Sequence, residues 1–166
     1  MMPTSSPIVI RTIQSSDNLI MADIIRQSFF DHGIDHLEGV SLHDPALVDL
    51  TAAYQKEKHR YWVALYAGKL AGGCGIAPLQ GGTENYCELQ KLYVKQDYHG
   101  LGIGKALIEH SLQYAKAIGY QYCYLETLPE LSKAVGLYEK LGFVPLKQAI
   151  GNTGHHDCDI RMLNTL

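Results

Sequence analysis

Between a stretch with strand periodicity and a stretch with helix periodicity lies His99-Gly100-Leu101-Gly102-Ile103-Gly104-Lys105, with glycine at every second position. No other segment restricts the fold as much. A strand must end, the chain must turn through backbone conformations that side chains resist, and a helix must start within a few residues. Downstream, Ile103, Ala106, Leu107, Tyr114 and Ile118 fall on one face of a helix from about Gly102 to Ile118. Glycines let the backbone come close to an anion. The N–H groups at the helix start are donors with a partial positive charge, and Lys105 adds a formal one. The loop reads either as a diphosphate cradle or as a tight connection that needs glycine for its turn alone. Spacing excludes two better-known phosphate motifs. A nucleoside-triphosphatase loop needs four residues between its first glycine and a Gly-Lys-Ser/Thr. A dinucleotide fingerprint needs Gly-x-Gly-x-x-Gly, whereas Gly100, Gly102 and Gly104 alternate one by one.

The elements around the loop follow from periodicity. Ile8 to Gln14 alternates as an opening strand, and Asp17 can cap a helix carrying Leu19, Ile20, Ile24, Phe29 and Phe30, which Gly33 stops. Ile34 to Pro45 is a loop rich in Asp and His, and Pro45 suits the first position of a second helix to about Lys58. Tyr61–Tyr66 and Lys69–Ala77 form a hairpin about Ala67-Gly68, with Gly81-Gly82 as the next turn and Glu88–Lys95 as a further strand. After the glycine loop and its helix come a buried strand (Tyr120–Glu126), a helix (Glu130–Leu141) stopped by Gly142, and two closing strands, Phe143–Ala149 and Asp157–Leu163. The order is strand, two helices, three strands, helix, strand, helix, two strands. That order predicts an α+β class: a mixed, mostly antiparallel sheet flanked by helices, not a doubly wound alternation.

The strand before the loop breaks its own period. Leu89 has one parity and Leu92 and Val94 the other, so strict alternation cannot bury all three on one face. One extra residue near Gln90 or Lys91, a β-bulge, restores a common face; burial on both faces is the alternative.

At 166 residues the chain is sized for one domain, and 46% hydrophobic with 19% charged residues is an ordinary globular balance. A net charge of -3 argues against nucleic acid as a partner. Residues 1–7 lack the basic and apolar regions of a signal peptide, and no apolar stretch is long enough for a membrane helix, so the expected location is cytoplasmic. Cys74, Cys87, Cys123 and Cys158 are scattered without a Cys-x-x-Cys pair, and read as buried hydrophobes in a reducing compartment.

Three blocks in this order and spacing, Glu88-Leu-Gln-Lys-Leu-Tyr-Val94, His99-Gly-Leu-Gly-Ile-Gly-Lys105 and Ala134-Val-Gly-Leu-Tyr-Glu-Lys-Leu-Gly-Phe143, resemble the GCN5-related N-acetyltransferase (GNAT) superfamily. The motifs cover Glu88 to about Phe143; ahead of them the match is in element order alone. The closing Gly151-Asn-Thr-Gly-His-His156 looks like a feature of a bacterial subgroup. The resemblance implies acetyl-coenzyme A as cosubstrate, in a cleft where the sheet splays between the Glu88–Lys95 and Tyr120–Glu126 strands. Its pantetheine arm would pair with the backbone about Leu92, Tyr93 and Val94. Its pyrophosphate would sit on the N–H groups of Gly100, Leu101, Gly102, Ile103, Gly104 and Lys105. His99 stands where the family usually has Arg or Gln, and Leu131 where it often has Asn, which removes a polar contact near the thiol arm.

Acetyl transfer to an amine needs a neutral amine, a stabilised oxyanion and a proton for the thiolate. An alkyl ammonium has a pKa near that of Lys, about 10.4, so a base helps. The resemblance implies Glu88 as that base, through water, a backbone N–H near Leu92 as oxyanion donor, and Tyr138 as acid. The plain alternatives are a solvated strand-end carboxylate and a core tyrosine. Direct attack in a ternary complex needs no cysteine nucleophile. Asp31, His32, Asp35, His36, Glu38, His43, Asp44 and Asp49 fall where the family builds its acceptor pocket, and an acidic rim there would attract a cationic amine. His32 and His36 have helical spacing interrupted by Gly33, and His155 and His156, if extended, point to opposite faces, so no metal is expected. Trp62 reads as core. The expected acceptor is a small-molecule amine. An acyl-coenzyme A sensor without turnover and a peptide or protein acetyltransferase stay open, as does the oligomeric state, a homodimer included.

Overall fold

A computed structural model describes residues 6–38 and 41–166; the start of the expected N-terminal segment and residues 39–40 of the expected acidic loop lie outside the described residues. Seven strands form one sheet: β1 (Ile8–Thr12), β2 (Arg60–Tyr66), β3 (Lys69–Pro78), β4 (Tyr86–Val94), β5 (Tyr122–Thr127), β6 (Val144–Leu146) and β7 (Ile160–Thr165). Their order is β1-β2-β3-β4-β5-β7-β6. All neighbours are antiparallel except β4 and β5, which run parallel. The helices are α1 (Asn18–Asp31), α2 (Leu50–Ala53), α3 (Ile103–Ala117) and α4 (Ser132–Lys140). This is the expected α+β sheet with flanking helices. Among the described residues, no helix is long and apolar enough to cross a membrane.

Alternation along the strands feeds two cores, one on each face. Val63 joins Met21, Ile25, Phe29, Leu50 and Tyr61 beneath α1 and α2. Its neighbour Trp62 joins Ile76, Leu107, Ile108, Phe143 and Met162 beneath α3 and α4, as core, with Tyr114 edge-on at 5.0 Å between centroids. The four cysteines are buried and unbridged, as expected. On β3 the aromatic layer lies directly on bare backbone: a Cβ at Gly75 would stand 2.7 Å from the Tyr61 ring and 2.8 Å from that of Tyr54.

Several element boundaries differ from expectation. The second helix does not run from Pro45 to Lys58. Pro45 opens a 3-10 turn (Pro45–Val48), and α2 ends at Ala53. Asp49 divides the two with non-helical φ of -146° and ψ of 84°, because its carboxylate caps the Ala52 N–H at 3.0 Å and starts a new helix. The first strand stops at Thr12, since Asp17 Oδ2 accepts the Gln14 N–H at 2.8 Å and closes a turn. The closing strands are β6, three residues long, and β7, which starts at Ile160 and runs past Leu163 to Thr165. A turn bond from Cys158 N–H to His155 O at 3.1 Å keeps residues 155–158 out of the ladder.

The irregularity in β4 is a bulge. Gly73 of β3 pairs with Tyr93 and Gly75 with Gln90, so Lys91 and Leu92 together stand against Cys74. Lys91 takes a left-handed φ of 50° to make the step. Cys87, Leu89, Leu92 and Val94 thereby share the α3-side core, while Tyr93 joins the α1-side core. The opposite face is buried as well: Glu88 and Lys91 are both among the buried polar residues.

Candidate active site

β4 and β5 pair only at Tyr86–Tyr122, Cys87–Cys123 and Glu88–Tyr124, then part. The parting opens a cleft of about 1610 Å³ that reaches from the glycine loop to Glu88, Glu126 and His155 and takes Leu131 and Tyr138 from the α4 side. Two backbone features face it. The Lys95 N–H bonds to Ala71 O at 2.7 Å. By antiparallel alternation, the N–H and C=O of Val94 then point away from β3, into the cleft. At the other feature, Gly100 and Gly102 both have φ of 82°, and Gly102 precedes the first residue of α3. The first intrahelical bond there runs from Ala106 N–H to Gly102 O, so the earlier N–H groups have no helical acceptor. No heavy atom lies within 4 Å of a Cβ built on Gly100 or Gly102, so that side is open to a ligand.

Of the expected coenzyme-binding residues, Leu92, Tyr93, Val94, His99, Gly100, Gly102, Ile103, Gly104 and Lys105 line the cleft. Leu101 does not, and points outward at 42% exposure. The His99 Nε2 donates to the Val94 carbonyl at 2.8 Å, holding the loop against the strand. Leu131 presents an apolar surface where a polar contact is missing, packed on the α1-side core.

The inner end carries the charged groups. Glu88, the last β4 residue paired with β5, is 4% exposed. Burial pushes its carboxyl up to about 7; Gln90, His155 and Lys91 act against that and Glu126 with it. Gln90 Nε2 donates to Glu88 Oε1, and Tyr54 OH donates to Gln90 Oε1, each at 2.5 Å. Oxygens of Glu88 and Glu126 and a ring nitrogen of His155 lie within 4.8 Å of one another, the one convergence of three ligand-type side chains among the described residues. Such a set suits a metal ion or an ammonium equally in its donor chemistry. Tyr124 OH donates to Glu126 Oε2 at 2.8 Å, and the Thr153 hydroxyl donates to Glu126 Oε1. Asp44 takes the His155 Nε2 on both oxygens, at 2.9 and 3.0 Å, and the Lys91 ammonium at 2.6 Å. Burial alone would raise Asp44, but His155 and Lys91 outweigh it and hold it below the ordinary value. Burial would lower His155, but its bond to Asp44 wins and raises it.

Tyr138 is 6% exposed, edge-on to Phe143 at 5.6 Å, and lines the same cleft; burial keeps its hydroxyl protonated well above the usual tyrosine value. Sequence reading missed Glu126, Lys91 and Gln90 as site residues, and set His155 aside. The signals were present: Lys91 and Gln90 are the bulge candidates, and His155 and Thr153 belong to the distinctive 151–156 segment. Of the Asp/His-rich segment, Asp44 alone joins this network. His32 and His43 bond to backbone carbonyls of Ser28 and Leu37, and Asp49 is a helix cap. His155 and His156 do not lie in an extended segment: at the turn over residues 155–158 the His155 side chain is 13% exposed and that of His156 73%.

The acetyltransferase (GNAT) family model matches residues 21–143. An uncharacterized N-acetyltransferase, YjgM, of Escherichia coli (strain K12) is 41% identical over 158 residues, 95% of each chain. Human N-acetyltransferase 8B is 37% identical over 98 residues, 57% of this chain and 43% of the human one. Among solved structures, a GNAT acetyltransferase of Staphylococcus aureus superposes with a TM-score of 0.84 at 21% identity, over 96% of this chain and 99% of that one. PaiA N-acetyltransferase of Thermoplasma acidophilum, solved in complex with coenzyme A, gives 0.76 at 20% identity, over 96% and 99%. With the splayed sheet, the glycine loop and a family match over most of its length, the chain belongs to the acetyltransferase (GNAT) family and is an acetyl-CoA-dependent acyltransferase.

Proposed function

We propose that residues 1–166 act as one catalytic domain that transfers an acetyl group from acetyl-coenzyme A to the primary amine of a small molecule, by direct attack in a ternary complex. The observation that carries this is the placement of a buried carboxyl, Glu88, with a pKa of about 7, at the closed end of a cleft that also holds Tyr138 and the open glycine loop. The family's solved members include one with coenzyme A and a Salmonella typhimurium protein with acetyl-CoA. The loop N–H groups from Gly100 to Lys105 would hold the pyrophosphate, with the N-terminal dipole of α3 behind them. The pantetheine arm would extend β4 along its free edge at Leu92 and Val94. Its carbonyl-side bond at Val94 would share that oxygen with the His99 ring, which already donates to it.

In this reading Glu88, ionised at and above neutral pH, takes a proton from the ammonium through water. The neutral amine attacks the thioester carbonyl, and a backbone N–H of the bulged segment near Leu92 steadies the oxyanion. The C–S bond then breaks, Tyr138 gives its proton to the departing thiolate, and the second proton lost by the new amide nitrogen restores the Tyr138 hydroxyl through water. Cys74, Cys123 and Cys158 fit no covalent alternative well, since burial pushes each thiol up, Cys74 and Cys158 to about 12. A thiol-release assay with acetyl-coenzyme A across a panel of amines tests the proposal. Saturable release with small amines supports it. Tight coenzyme binding with no release for any amine replaces it by a sensor.

A further inference from the structure

The acceptor end of the cleft carries an imbalance that bears on substrate class. Three carboxylates, Glu88, Glu126 and Asp44, meet there with the Lys91 ammonium and the His155 imidazole; Arg161, opposite Glu126 in the β5–β7 ladder, does not line the cleft. Both Lys91 and His155 are already committed to Asp44, through Lys91 Nζ at 2.6 Å and His155 Nε2 at 2.9 and 3.0 Å. Lys91 has little freedom to leave. Its side chain is 4% exposed, its backbone sits in the bulge, and its carbonyl accepts the Tyr61 hydroxyl at 2.8 Å. The remaining carboxylate, Glu126, faces the cleft from β5, two residues past the last pairing with β4. Hydroxyls of Tyr124 and Thr153 pin both of its oxygens. Arg26, the cleft-lining cation of α1, stands 3.7 Å from Asp23 at the exposed rim.

Resting on the acetyl-transfer reading, we infer that the acceptor is an amine with no carboxylate on its amine-bearing carbon, and that Glu126 sets this specificity. An ammonium placed for Glu88 sits between two carboxylates and is attracted by both. An α-carboxylate on the same carbon would enter within a few ångströms of Glu126, in a half-buried site where charges are less screened than in water, while Lys91 and His155 are held by Asp44. Decarboxylated amines are therefore admitted and the parent amino acids are rejected, by like charge and not by bulk.

The test uses matched sets in the thiol-release assay with the whole protein and acetyl-coenzyme A: tyramine, tyrosine and tyrosinamide; ethanolamine, serine and serinamide. In each set that turns over, the amine is expected to exceed the amino acid in kcat/KM by on the order of 100-fold. The amide, whose carboxamide is uncharged and close in size to the carboxylate it replaces, should behave like the amine. Glu126→Gln should narrow the amine-to-amino-acid gap about tenfold, mainly through KM, with coenzyme affinity and melting temperature as controls for folding. Equal or better turnover of the amino acid overturns the inference while leaving acetyl transfer intact. An amide as poor as the amino acid also overturns it, because bulk and not charge would then decide. Absence of release with every compound sinks the acetyl-transfer reading, and this inference with it. Should Glu126→Gln fail to fold, the wild-type comparison of amine, acid and amide still decides.

Discussion

Glu88 carries opposing demands at one carboxyl. Burial lifts it to about 7, which suits a base working near neutral pH. The same shift costs stability. In the folded chain the group holds its proton to about 7, whereas unfolded it would release it near 4.5, so folded protein binds more protons in that window and loses stability as pH rises through it. Glu88→Gln should accordingly be more stable than wild type at pH 8 by up to roughly 3 kcal/mol, with the gap closing below pH 4.5, measured by calorimetry across pH. The same variant should lower kcat and lose the acidic limb of the pH–rate profile near 7. Unchanged activity with an unchanged limb would hand the base role to another group. Tyr138 is tested separately. Tyr138→Phe keeps the ring against Phe143 and removes only the hydroxyl. It should cost about 10²–10⁴ in kcat with coenzyme affinity and melting temperature near wild type.

At the scale of elements, the strand–loop–helix unit is where local sequence and function coincide. Gly102 has a φ of 82° at the entrance to α3, a conformation that β-branched residues resist. Gly102→Val should therefore distort the anion-facing turn and weaken coenzyme affinity at least tenfold by calorimetry, in a protein that still shows native circular dichroism. His99→Ala should cost far less, because His99 binds a carbonyl of this chain and not the phosphate side of the loop. Similar losses in the two variants would make the His99 side chain a phosphate ligand. This unit was legible because its signals are local: glycine at alternate positions, helical periodicity after it, and the parity break at Leu89 and Leu92. The boundaries that went astray depended on single capping or turn bonds. Asp49 ending one turn to begin α2, and Cys158 bonding back to His155, leave no trace in hydrophobic period.

Across the whole molecule, Asp44 ties together chain segments that are 47 and 111 residues away from it, at Lys91 and His155. Removing one partner of a buried ion pair strands the other, so Asp44→Ala, which leaves the Lys91 ammonium unpaired, should destabilise by about 3–5 kcal/mol. Lys91→Met added to Asp44→Ala should recover part of that loss in chemical denaturation, and a purely additive second loss would show that the two do not act as a pair. The fold class and the glycine loop could be read from the chain, the bulge was one of two readings its parity left open, and the resemblance made Glu88 and Tyr138 candidates, since each rests on periodicity, on backbone conformation or on motifs a few residues long. Glu126, Lys91, Asp44 and His155 could not be read as one site. Their meeting requires β5 to run beside β4 and then part from it, the bulge to turn Lys91 inward, and the segments around Asp44 and His155 to close over the same end of the sheet. Local spacing determines which elements form. Which charges share a buried pocket is decided only when distant segments pack and the water between them leaves.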